Sequence, residues 1–97
     1  MRPALVVQAD FNNSRLADTI VALVTSTTHR AASEPTQFLI DISTTEGRQS
    51  GLLHTSAVKC EHIATLEHML ILRVIGSLPP SLMAQVDSCL KAALALP

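Results

Sequence analysis

The sequence predicts a mainly β (α+β) fold. We expect a small, strongly curved antiparallel sheet of about five strands, closer to a barrel than to an open sheet, with a C-terminal amphipathic helix. Short apolar runs rich in β-branched residues are separated by polar turn segments, and helical periodicity occurs only near the C-terminus. The chain has 97 residues, enough for one modest core but not for two, so residues 1–97 are predicted to form one domain.

The first half of the chain predicts three strands. Residues 3–9 form a continuous apolar run that ends at Asp10, where turn residues begin. A single helical turn is predicted over residues 14–17, and a loop is predicted over the small, polar residues 26–35. The predicted strands cover residues 3–9, 19–25 and 36–42.

The second half predicts two further strands and the helix. Residues 43–51 have loop composition, and in the strand that follows Ile63 falls out of phase, which indicates a bulge or bend. Pro79 and Pro80 favour a helix start, because proline suits the first helical turn. The predicted strands are residues 56–66 and 70–75; the predicted helix is residues 81–96, with an apolar stripe of Leu82, Val86, Cys89, Leu90, Ala93 and Leu94.

Composition excludes several classes of protein. With 47% hydrophobic and 15% charged residues, the chain is too apolar for a disordered segment. Polar residues interrupt every apolar run before it could span a bilayer, and the N-terminus has no secretory signal, so a cytoplasmic protein is expected. A net charge of -1 excludes a generally basic surface, and with only Phe11 and Phe38 as aromatic residues the chain cannot form a base-stacking platform.

Local motifs exclude other chemistries. The four histidines lack metal-ligand spacing, and the sequence contains neither a glycine-rich phosphate loop nor a nucleophile elbow, so no metal or cofactor is expected. Cys60 and Cys89 are predicted to be reduced and buried. Taken alone, the hydroxyl cluster at residues 25–28 is typical of a solvated loop.

Four segments cover nearly the whole chain in order: residues 2–10 (RPALVVQAD), 20–26 (IVALVTS), 56–66 (SAVKCEHIATL) and 75–87 (IGSLPPSLMAQVD). Taken together, they resemble the MazF/PemK toxins, which are the endoribonucleases of type II toxin–antitoxin modules. The first segment resembles the first strand motif of that family, and the second resembles its apolar strand ending in Thr-Ser. The third and fourth resemble its third strand and its closing helix.

This resemblance implies an SH3-like β-barrel and a homodimer that binds single-stranded RNA along a groove at the dimer interface. A MazE-like antitoxin would compete for the groove. It also implies metal-independent cleavage in which the 2′-hydroxyl attacks the adjacent phosphate, giving a 2′,3′-cyclic phosphate and a 5′-hydroxyl. The matching catalytic residues are Arg2, as a stabiliser of the transition-state charge, and Thr25, as a hydroxyl donor to a phosphate oxygen.

The resemblance further implies that Glu61 and His62 contact RNA bases, and Ser26 is a candidate because it follows Thr25. The His in this pair departs from the more usual Glu-Gln, although its ring can both donate and accept. If Arg2, Arg30 and Lys59 line one groove, they would suit an acidic antitoxin tail.

One departure leaves alternatives open. Family members carry a further segment before the strand that matches residues 2–10, which supplies a first strand and a loop over the active site. Three hypotheses therefore stand: an active toxin, a truncated and catalytically impaired homologue that still dimerises and binds antitoxin, and a small barrel used only for protein contacts. The intact Arg2 and Thr25 favour the first hypothesis.

Overall fold

A computed structural model describes residues 2–97. Within this range the chain forms four strands, three α-helices and one 3₁₀ helix. No helix in the described range is long and apolar enough to cross a membrane. The elements are β1 (Ala4–Val6), α1 (Asp10–Asn13), β2 (Asp18–Thr25), β3 (Gln37–Ile40), α2 (Thr45–Arg48), β4 (Ser56–Glu67), the 3₁₀ helix (His68–Leu70) and α3 (Pro80–Leu94).

The four strands form one antiparallel sheet in the order β1-β2-β4-β3. β4 is 12 residues long; its first part pairs with both β2 and β3, and its second part pairs with β2 alone. The sheet curls into a half-barrel, as expected from strand twist and a bulge in β4. The predicted mainly β class with a C-terminal helix is confirmed, with four strands rather than five.

Helix α3 covers one face of the curled sheet and closes the core. The alternation predicted for β4 is confirmed, because Val58 and Cys60 are buried against the helix while Lys59 and Glu61 lie on more accessible positions. From α3, Val86 and Cys89 enter the same cluster. Val58 and Val86 are both 0% exposed, and burying each side chain contributes about 2 kcal/mol to the stability of the fold.

A register shift in β4 changes the pairing halfway along the sheet. Ala22 pairs with Ile63, whereas the next residue of β2, Leu23, pairs with Lys59. Residues 60–62 therefore have no partner on β2. This irregularity confirms the predicted bulge, and it separates Glu61 and His62 from the regular ladder beside β2.

The two cysteines lie together in the core as free, buried thiols, as predicted. The Cys60 Sγ lies 3.9 Å from the carbonyl oxygen of Val86. Burial raises the pKa of Cys60 to about 12, and the nearby Cys89 and Glu61 charges add to this effect. At neutral pH Cys60 therefore stays a protonated, unreactive core residue.

The prediction of a fifth strand over residues 70–75 is wrong. The 3₁₀ helix occupies its start, and the chain from residue 71 to 79 is irregular and pairs with no strand among the described residues. Its side chains are largely open to solvent, with Leu72 72% and Val74 83% exposed. High β-propensity is not sufficient here, because a strand is stabilised by cross-strand neighbours that this segment lacks.

The helical turn predicted over residues 14–17 lies earlier, in α1. The Asn13 side chain anchors this turn: its Oδ1 accepts from Gln8 Nε2 (2.8 Å) and from the Thr19 hydroxyl (2.7 Å). These side-chain hydrogen bonds join residues five and six positions apart, and helix propensity does not take them into account. They place the turn before Ser14 rather than after it.

Helix α2 falls inside the segment predicted as a loop. Its N-cap is Thr44, whose hydroxyl accepts from the backbone N–H of Gly47 at 2.9 Å. At the other end of the chain, α3 stops two residues before its predicted end, because Ala95 adopts a left-handed conformation and the Leu96 N–H bonds back to the Lys91 carbonyl.

A tight backbone crossing ties the segment after α2 to the segment before α3. The Ser77 N–H donates to the Gln49 carbonyl at 2.9 Å. Gly51 has a φ of +73°, and a Cβ there would overlap the carbonyl oxygen of Ile75. At Gly76, on the other segment of the crossing, a Cβ would overlap the carbonyl oxygens of Gln49 and Ser50. Glycine is therefore required at this contact by both conformation and space.

Candidate nucleic-acid interface

A polar cleft of about 480 Å³ opens where β2 ends beside the start of β3 and the bulge of β4. The strand register assembles it: Leu23 pairs with Lys59, and Lys59 in turn pairs with Gln37. The loop between β2 and β3 forms the remaining wall. The lining residues include Thr25, His29, Arg30, Glu34, Gln37, Lys59, Glu61 and His62.

Thr25 is the last residue of β2, and its hydroxyl is already oriented. The Oγ1 accepts a hydrogen bond from the backbone N–H of Thr27 at 3.1 Å, which is a local turn bond. The same hydroxyl donates to no acceptor within residues 2–97. Its proton therefore remains available to a ligand oxygen in the cleft.

Glu61 lies in the bulge of β4 and is held by β3 and the residue before it. Its Oε2 accepts from Gln37 Nε2 at 2.8 Å, and its Oε1 accepts from the Thr36 hydroxyl at 3.0 Å. Desolvation raises the pKa of Glu61, but the hydrogen bonds from Gln37, its own backbone and Thr36, with the charge of Lys59, outweigh that effect and lower it overall. Glu61 is therefore ionised at neutral pH.

The cleft carries mixed charge. His29, Arg30 and Lys59 supply basic groups, while Glu34 and Glu61 supply carboxylates. The cations can contact phosphate, and the carboxylates can accept only from donor groups such as base amines. No group of three or more His, Cys, Asp or Glu side chains in the described chain is arranged to hold a metal ion.

Arg2 and Ser26 line a neighbouring groove, not the cleft. This groove, of about 1600 Å³, runs between β1 and the irregular segment 70–78. Ala4 pairs with Leu23, so Arg2 comes two positions before that pair in the chain and Thr25 two positions after it. Arg2 itself is exposed and lies before the start of β1.

The structure thus brings Thr25, Glu61 and His62 together and leaves Arg2 and Ser26 at the adjoining groove. Of the three cations considered for an acidic tail, Arg30 and Lys59 share the cleft and Arg2 does not. Thr36 and Gln37 were not singled out from the sequence. Their roles depend on a contact between β3 and the β4 bulge, for which the chain carries no local signal.

The fold and the cleft define a class of small half-barrel domains, with a core covered by a C-terminal helix and a polar cleft at the strand ends. The sequence pattern of the PemK-like, MazF-like toxins of type II toxin-antitoxin systems matches residues 1–94. The chain belongs to this family.

Individual relatives agree with that assignment. Endoribonuclease MazF2 of Mycobacterium bovis and endoribonuclease MazF6 of Mycobacterium tuberculosis are each 38% identical over 96 residues. The match covers 98% of this chain and 79% of each relative. The expected family of RNA-cleaving toxins is therefore confirmed.

Solved structures confirm the fold. The Mycobacterium tuberculosis toxin MazF-mt6 superposes with a TM-score of 0.82 at 24% identity, over 99% of this chain and 88% of that chain. A mycobacterial endoribonuclease in complex with its cognate antitoxin superposes with a TM-score of 0.82 at 25% identity, over 99% of this chain and 82% of that chain.

Proposed function

We propose that this protein is the toxin of a type II toxin–antitoxin module that cleaves single-stranded mRNA in the cytoplasm without a metal ion. The observation that carries this proposal is the state of the Thr25 hydroxyl. Its oxygen accepts a hydrogen bond from the Thr27 N–H, and its proton is available to a ligand in a cleft that also holds Lys59 and Glu61. Family membership supports RNA as the substrate.

In the proposed reaction the 2′-oxygen of one nucleotide attacks the adjacent phosphorus. The new P–O2′ bond forms, the P–O5′ bond breaks, the 2′-hydroxyl loses its proton and the leaving 5′-oxygen gains one. The products are a 2′,3′-cyclic phosphate and a 5′-hydroxyl. The Thr25 hydroxyl donates to a non-bridging oxygen as negative charge develops there.

Arg2 is proposed to stabilise the same transition state from the adjoining groove. Its guanidinium can hold two phosphate oxygens at once. The Arg2 side chain is exposed just before β1 and lines the groove, so RNA that spans the cleft and the groove would contact both Thr25 and Arg2. Protonation of the leaving oxygen is a second role that the family resemblance suggests for Arg2.

Base contacts are assigned to Glu61 and His62, with Ser26 on the groove side. A carboxylate accepts from base amines, and a neutral imidazole both donates and accepts. Because the chain has few aromatic residues, recognition is expected to depend on hydrogen bonds to base edges more than on stacking.

We further propose a homodimer that is neutralised by a MazE-like antitoxin. Leu72 is 72% exposed, and with Met69 and Val74 it makes segment 69–75 an apolar surface of the kind that marks interfaces. The solved structure of one relative is a complex with its cognate antitoxin, and Arg30 and Lys59 in the cleft would attract an acidic tail.

An alternative function rests on β1. This strand has β2 on one side and no strand on the other within the described chain, so its outer backbone groups are unpaired. An open edge can accept a strand from another chain. A catalytically impaired homologue that dimerises and binds antitoxin would use this edge without cutting RNA.

Cleavage of a long single-stranded RNA in the presence of EDTA tests the proposal. We expect discrete cuts, with products that carry 2′,3′-cyclic phosphate and 5′-hydroxyl ends, because the described machinery uses side chains only. The control is the same RNA with 2′-O-methyl groups throughout, which removes the attacking hydroxyl and should not be cut. A folded protein that leaves the RNA intact would favour the antitoxin-binding alternative.

A further inference from the structure

The Glu61 carboxylate is held by one donor on each oxygen. Gln37 Nε2 donates to Oε2 at 2.8 Å, and the Thr36 hydroxyl approaches Oε1 at 3.0 Å. Gln37 is only 9% exposed, so its amide is packed in place. Glu61 itself is exposed toward the cleft. The carboxylate is thus fixed by Gln37 and Thr36 and remains accessible from the cleft.

The two supporting residues differ in whether their donor group has an acceptor other than Glu61. The Thr36 hydroxyl also lies 3.1 Å from Glu34 Oε1, and its single proton can serve only one carboxylate at a time. The Gln37 amide makes its side-chain bond to Glu61 alone among the described residues. Gln37 is therefore the main support, and Thr36 is the secondary one.

An ionised carboxylate selects its partners by charge. It has about four lone-pair sites, and two of those on Glu61 are taken by Gln37 and Thr36. The remaining sites can only accept hydrogen bonds. Adenine, cytosine and guanine present amino groups, whereas uracil presents carbonyl oxygens on both sides of its single N–H, and these oxygens repel a carboxylate.

We propose that Gln37 and Thr36 are positioning residues that fix Glu61 as an acceptor for an amino-bearing nucleobase, so that this part of the cleft rejects uracil. The proposal rests on the proposed RNA-cleaving function and assigns base selectivity to it. It adds two residues to the site that act through Glu61 rather than by touching RNA.

The surrounding charges are compatible with this role. Desolvation raises the pKa of Glu61, and the hydrogen bonds from Gln37, from its own backbone and from Thr36, together with the Lys59 charge, more than reverse this. The other ionisable groups that line the cleft are His29, Arg30, Glu34 and His62. Removing the Gln37 donor takes away one of the interactions that favour the carboxylate form, so it should raise the pKa of Glu61.

The first test is an NMR titration of the Glu61 side-chain carboxyl in the protein without RNA. Relative to the unaltered chain, Gln37→Met should raise its pKa clearly, and Thr36→Val should raise it less. Thr36→Ser keeps the hydroxyl and should restore the original titration. An unchanged Glu61 titration in a folded Gln37→Met protein would overturn the positioning role, whatever the activity on RNA.

The second test sequences the cut sites in a random single-stranded RNA pool. One position of the cleavage motif should disfavour uracil by about 10-fold, in line with the value of one base-edge hydrogen bond. Glu61→Gln should relax that position, because an amide also donates to uracil oxygens, and Gln37→Met should relax it partly. Thr36→Ser should leave it unchanged.

The outcomes separate the two proposals. This inference is contradicted if the protein cuts RNA with uracil tolerated at every position of the motif. It is also contradicted if Glu61→Gln leaves the discrimination against uracil unchanged. Neither outcome contradicts the nuclease function. The absence of any cutting by the unaltered, folded chain contradicts the nuclease function, and the carboxyl titration then still decides whether Gln37 and Thr36 position Glu61.

Discussion

Replacing Thr25 with valine is expected to lower the rate of RNA cleavage at least about 100-fold while leaving the fold intact. Valine has nearly the same shape as threonine and suits a strand end, but it cannot donate to the phosphate. Thr25 is half-buried and its hydroxyl makes only the local bond from the Thr27 N–H, so the loss to stability should be small. Single-turnover cleavage rates and thermal unfolding measure the two effects separately.

Thr25→Ser is the matched control, because it keeps the hydroxyl and should retain most of the activity. Full activity in a folded Thr25→Val protein would remove Thr25 from the mechanism.

Arg2→Lys keeps the positive charge just before β1 but loses the paired donors of the guanidinium. It should therefore cleave RNA more slowly than the unaltered chain and faster than Arg2→Ala.

Gly51→Ala should destabilise the protein by about 3 kcal/mol, near the upper end for single substitutions. Alanine is disfavoured at a φ of +73°, and its Cβ would overlap the Ile75 carbonyl oxygen at the backbone crossing. The melting temperature of a domain of this size should then fall by about 12–24 °C. Differential scanning calorimetry or urea unfolding measures the loss.

Gln49→Ala controls for the substitution itself. Gln49 is exposed and contributes its backbone carbonyl to the same crossing, so alanine there should change stability by less than about 0.5 kcal/mol. Equal stability of Gly51→Ala and the unaltered chain would show that the crossing tolerates a side chain and does not fix segment 70–78.

Local patterns were sufficient for most of the sheet. Alternation over residues 58–61 placed Val58 and Cys60 on one face, which is buried in the structure, and the phase break at Ile63 indicated the bulge. The apolar stripe of the last helix identified Val86 and Cys89. These features depend on side-chain period and burial, which the sequence carries directly.

Tertiary contacts decided what composition and periodicity could not. Residues 70–75 have strand composition, but no neighbouring strand pairs with them in the described chain. The first helical turn is placed by Asn13 through side-chain bonds to Gln8 and Thr19. Helix propensity does not take such side-chain bonds into account.

The candidate site also contains residues that the sequence indicated and one that only the structure revealed. Thr25, Glu61 and His62 were named from the family resemblance, and they line one cleft. Arg2 and Ser26 were named with them but line the adjoining groove. Gln37 became visible only through its bond to Glu61, which joins residues far apart in the chain.

The most direct test of this account is to locate bound RNA on the protein by NMR. A single-stranded oligonucleotide with 2′-O-methyl groups cannot be cut, so its complex can be studied at equilibrium. We predict that the largest amide shift changes fall on Thr25, Glu61 and His62, with smaller changes at Arg2 and Ser26 across the groove. Changes confined to the outer face of α3 or to the apolar segment 69–75, with the cleft unaffected, would contradict the assignment of this cleft as the RNA site.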